Sequence, residues 1–128
     1  MKVLKKILVS LAIASALGAA SHSAMAETDK GRVVYAPAEA IDNTVAKIRI
    51  ALDAITKGTD GEKAADLIKD ASDSSKEINA NDRVDRARQK ANNILKSART
   101  HAKEKATQEA EQELREAVKA FEDLKPLI

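Results

Sequence analysis

Carboxylates are the side chains of this chain whose spacing could support chemistry. Glu62, Asp66, Asp70, Asp73 and Glu77 follow one another at intervals of four, four, three and four, so on a helix they share one face. Glu109, Glu113 and Glu116 repeat the theme, with Glu111 on the adjacent side. Such rows attract hard cations, but a bound cation such as Ca²⁺ needs several oxygens converging at about 2.3 to 2.6 Å. One helix face does not supply them. Lys63, Lys69 and Lys76 stand near enough to pair with the first row, and a charged row beside an apolar one is the ordinary solvated side of an amphipathic helix. If the two helices that carry the rows pack together, the rows face each other.

No catalytic constellation accompanies the carboxylates. The sequence has no cysteine, no Gly-rich phosphate loop and no pair of histidines on one helix. Met1, His22 and Met25 all precede Glu27, which leaves His101 as the one imidazole beyond that point. It has no motif around it and is expected as a solvated residue at a helix end or turn. A haem held by His and Met cannot be assembled from this inventory. The chain is therefore expected not to be an enzyme, to hold no cofactor, and to present no assigned catalytic, cofactor-binding or metal-ligating residues.

The N-terminus carries Lys2, Lys5 and Lys6, an apolar run from Ile7 to Ala20, and small residues at Ala24 and Ala26. That is the charged, hydrophobic and A-x-A pattern of a signal peptide, with cleavage expected after Ala26. The apolar run is shorter than the roughly 20 helical residues that cross a membrane. No cysteine follows it to carry a lipid, so no stable membrane anchor is expected. Three of the 22 basic residues lie in the signal and all 20 acidic residues follow it. The part beyond Ala26 therefore carries about −1, with both signs interspersed. Nucleic acid, which needs a concentrated basic patch, is not an expected partner. About 102 residues remain after cleavage, enough for one domain with a modest core, and without cysteine that core must be held by packing alone.

Three domains of sequence follow: the signal over 1–26, an extended arm over 27–36, and helices over 37–128. The arm contains Gly31, Val33, Val34 and Tyr35 and ends before Pro37, which disfavours helix in the residue preceding it; Tyr35 is expected to anchor the arm by packing. Ile41, Val45, Ile48, Leu52 and Ile55 form one helical stripe, from Pro37 at a first turn to a stop at Gly58. Thr59 and Glu62 match a capping box for a second helix, whose apolar face is Ala64, Leu67, Ile68, Ala71, Ser75 and Ile78. Asn79 to Asp82 favour a turn and an N-cap.

Residues 82–125 contain neither glycine nor proline. Val84, Ala87, Ala91, Leu95 and Ala98 make one stripe, and Ala110, Leu114, Ala117, Phe121 and Leu124 another. Twelve steps from Ala98 to Ala110 turn an ideal helix by about 120°, so the stripes are out of phase and a break is expected between Thr100 and Thr107. The outcome is all-α: an antiparallel up-down four-helix bundle after a cleaved signal peptide. The competing arrangement keeps one helix of about 40 residues through the Ala98, Ala102, Ala106, Ala110 ladder, which would need a partner chain.

The segment from Ala51 to Glu62 (ALDAITKGTDGE), leading into Leu67 to Ala71, resembles the small metal-binding protein family of periplasmic four-helix bundles. Glu116 to Phe121 is similar to that family's last helix. The resemblance implies a periplasmic bundle and a surface that binds copper and other divalent metals through many histidines. This chain departs from it: Lys57, Glu62, Asp70, Glu77, Glu113 and Ala120 stand where family histidines would be. Any cation binding is then expected to be weak, to favour hard divalent or trivalent ions, and to involve Glu62, Asp70, Glu77 and Glu113. The alternative is an oligomeric helical protein-interaction module without metal, with a protein partner or a second copy packed on the C-terminal region.

Overall fold

The computed structural model describes residues 34–128; the expected signal peptide over 1–26 and most of the arm, 27–33, lie outside the described residues. Tyr35–Ile128 form one compact unit of four helices and, among the described residues, no strand: α1 Pro37–Thr56, α2 Gly61–Ser75, α3 Asp82–Lys103 and α4 Thr107–Glu122, followed by a short 3₁₀ turn, Lys125–Leu127.

α1 opens with Pro37 in the first turn after an extended Ala36, where the missing proline N–H costs no helical bond. Ile41, Val45, Ile48 and Ile55 are buried as their spacing requires, and Leu52 is half-buried against them. The helix ends in a Schellman motif. Thr59 N–H donates to the Ala54 carbonyl and Gly58 N–H to Ile55, with Gly58 left-handed at φ 79°, a conformation glycine adopts without steric cost.

The capping box expected for α2 does not form. The helix starts one residue later than that pattern requires, which leaves Thr59 outside the N-cap position. Asp60 takes the N-cap position without a side-chain bond, and its carbonyl accepts the first bond, from Ala64 N–H. Gly61 then passes so close to α3 that a Cβ there would collide with the Ala102 carbonyl oxygen.

α3 begins at the expected Asn81, whose Oδ1 accepts from Val84 N–H at 3.0 Å. Its amide also donates to the Leu127 carbonyl at 3.0 Å, tying the start of α3 to the C-terminal turn. The stretch 82–125 breaks at 104–106, inside the expected window. A second Schellman motif makes the stop: Ala106 N–H donates to the His101 carbonyl and Lys105 N–H to Ala102, with Lys105 left-handed at φ 63°. The single long helix is thereby excluded.

Each helix packs chiefly on its sequence neighbours, and α4 closes on α1. The core is built from Phe121, Leu95, Leu114, Leu124 and the isoleucines at 41, 48, 68 and 78, set among alanines at 40, 51, 64, 65, 71, 91, 98, 102, 110 and 117. Small residues let the helix backbones approach while the large ones interdigitate. Thr44 and Ser75 are the buried polar residues among those described. Both are satisfied locally, Thr44 by the Ala40 carbonyl at 2.9 Å and Ser75 by the Ser72 carbonyl at 2.6 Å, so neither carries an unpaired donor into the core.

Candidate functional site

The core holds no ionisable side chain among the described residues, so chemistry must lie on the surface and in the grooves between helices. A groove between α1 and α2 encloses about 550 Å³. Tyr35, Asn43 and Lys47 line it from one side, Asp70, Asp73 and Glu77 from the other. Tyr35 packs against the core as the sequence led one to expect. Asp70 on α2 and Glu77 in the turn that follows it are thus brought to one place.

Asp73 is already occupied. Lys69 donates to its Oδ2 at 2.8 Å and Lys76 approaches its Oδ1 at 3.4 Å. The Lys69 hydrogen bond holds the Asp73 carboxyl below its usual range against partial desolvation, with Lys76 adding to the shift. The same bond raises Lys69. These lysines therefore neutralise part of the row, as their spacing anticipated.

The other carboxylates lie apart. Glu62 and Asp66 are exposed on α2. The α2 and α4 rows do not face each other, because α2 packs on α1 and α3, and α4 on α3 and α1. Glu113 instead meets His101 across the α3–α4 turn, with a short contact between its Oε1 and the imidazole Nδ1. His101 lies in the last turn of α3 as expected of a residue at a helix end, but it is partnered there: the His101 and Glu113 side chains are 34% and 19% exposed. The hydrogen bond to Glu113 is the main cause that raises the His101 pKa above its ordinary 6.5, opposed by desolvation and assisted by the charges of Glu113, Glu104 and Glu109. Nothing local in the sequence signals the pair, since its members sit on different helices on either side of a glycine-free turn.

The remaining positions at which the resemblance puts histidine are scattered as well. Lys57 bridges Asp53 at 2.9 Å, and Ala120 is half-buried on α4. Among the described residues, no three His, Asp or Glu side chains converge into a group that could hold a metal ion, and no helix is long and apolar enough to cross a membrane. A second groove, between α2 and α3, is lined by Lys69, Lys76, Lys96 and Arg99. The sequence pattern did not single it out, because its cations come from two helices and only their pairing assembles them. No protein-family model matches the chain, and neither a curated protein nor a solved structure matches it.

Proposed function

We propose that the chain is exported to the periplasm by a signal peptide cleaved after Ala26, and that the remaining protein is a non-enzymatic binding protein of the kind the small metal-binding family represents. Its helices run alternately up and down in an antiparallel bundle. Connections of four, six and three residues support that topology. So do the side-chain pairs Ser72–Asn92 and Arg49–Glu122, which join successive or closing helices.

The observation that carries the binding function is the α1–α2 groove, where Asp70 and Glu77 line one space beside Asp73. Both occupy positions at which the resemblance puts histidine. Carboxylates that share a groove without converging hold a cation through its water shell, so affinity is low and hard divalent or trivalent ions are preferred to copper.

Calorimetric titration of the purified protein with Cu²⁺, Zn²⁺, Ca²⁺ and a lanthanide tests this. Saturable heat with Ca²⁺ or the lanthanide is expected, lost in the Asp70→Asn, Glu77→Gln double variant and kept in Glu113→Gln. Heat that survives the double variant, or none with any ion, overturns the cation function. The interaction module is the second reading, and Ile50, a large apolar side chain 56% exposed on α1, is the position at which it can be tested.

A further inference from the structure

On the side of α2 that meets α3, a groove of about 280 Å³ gathers Lys69, Lys76, Lys96 and Arg99, with Ser72 and Asn92 in the same lining. Asp73 is the one carboxylate in that lining, and its oxygens are engaged by Lys69 and Lys76. Lys96 and Arg99 have no carboxylate partner among the described residues. Arg99 itself is only half-buried and lines the groove with its side chain. Asn92 accepts from Ser72 at 2.6 Å and, more weakly, from Ser75 at 3.5 Å. Its oxygen is thereby committed to the serines, and its NH₂ remains as a donor. Four cations against one engaged carboxylate form a marked local excess in a chain that beyond Ala26 is close to neutral.

We propose that the α2–α3 groove binds a phosphoryl group. Arg99 supplies the planar fork and Lys96 the point charge that together suit phosphate oxygens, Lys69 and Lys76 add to the positive field, and the Asn92 amide donates a neutral bond. A phosphoryl group is favoured over a carboxylate because Arg99, Lys96 and Asn92 approach from different positions on α3, and three terminal oxygens can answer all of them at once where two cannot. The two grooves share Asp73, but the phosphoryl site uses none of Asp70, Glu77 or Tyr35, so the variants that test the one leave the other's ligands in place.

The test is a nuclear magnetic resonance titration of the ¹⁵N-labelled full chain with inorganic phosphate, and in parallel with phosphatidylcholine vesicles that do or do not contain phosphatidic acid. Saturable shifts centred on Asn92, Lys96 and Arg99 are expected. If free phosphate produces them the ligand is a soluble phosphate or phosphomonoester; if only the phosphatidic acid vesicles do, the phosphoryl group is that of a lipid. The Lys96→Gln, Arg99→Gln double variant should weaken binding about tenfold or more, with its helical circular dichroism unchanged. Asp73→Asn, which frees Lys69 and Lys76, should tighten it. Absence of shifts with either source overturns the proposal. So does binding that the double variant leaves intact, or an Asp73→Asn variant that binds more weakly than the parent.

Discussion

A histidine hydrogen-bonded to a carboxylate across a turn makes the turn sensitive to pH. The His101 pKa is raised in the folded chain, chiefly by its bond to Glu113. The stability that this adds is fully present below the ordinary value of 6.5 and is lost as pH rises through the higher folded value. Urea unfolding at about pH 5.5 and about pH 9 should therefore give a difference in midpoint that shrinks when Glu113 is changed to Gln. An unchanged difference in that variant would show that the pair does not couple to folding. Asp73 works in the opposite sense: held low by Lys69, it contributes above its ordinary 3.8 and the contribution fades as pH falls through its depressed value. Neither effect was legible in sequence to the same degree. Asp73 and its lysines stand three and four residues apart on one helix, whereas His101 and Glu113 meet only because the chain reverses between them.

The ends of the helices show where local pattern suffices and where it does not. Gly58 announces its left-handed turn by being glycine, but Lys105 adopts the same conformation with a full side chain and leaves no mark beyond the phase shift between two apolar stripes. A non-glycine residue in that region costs about 1 to 2 kcal/mol, so Lys105→Gly should raise stability by up to about that amount, and Gly58→Ala should lower it similarly, as thermal unfolding would register. Gly61 is constrained differently. Its neighbour is the Ala102 carbonyl of α3, an approach that only the assembled bundle creates, and the capping box read across Thr59 and Glu62 failed because the helix starts one residue later, with Asp60 at the N-cap. Gly61→Ala must push α2 off α3 or bend it, at a cost of about 1 to 3 kcal/mol. A variant as stable as the parent would mean that the α2–α3 crossing is looser than the close approach implies.

At the scale of the molecule, every apolar stripe that the sequence spells out is turned inward, and the polar remainder is sorted by helix pairing. Asp70 and Glu77 line the groove on the α1 side, Lys69 and Lys76 the groove on the α3 side, and Asp73 lines both, a sorting that the row of alternating charges contains but that cannot be assigned to partners until the neighbours of α2 are known. The same inward sorting bears on whether the chain works alone. A long unbroken C-terminal helix would leave apolar surface for a second copy; the break at 104–106 instead folds α4 back so that Leu114, Phe121 and Leu124 are fully enclosed within one chain. Large apolar side chains that stay exposed on the unit are isolated, Ile50 on α1 and Ile128 at the terminus, and single exposed residues are ordinary on a monomer. Light scattering of the purified protein should therefore return the mass of one chain, and Ile50→Asp should leave that mass and the unfolding midpoint unchanged. A mass of two chains that falls to one in Ile50→Asp would instead identify the outer face of α1 as an interface and make the interaction module the better account of this protein.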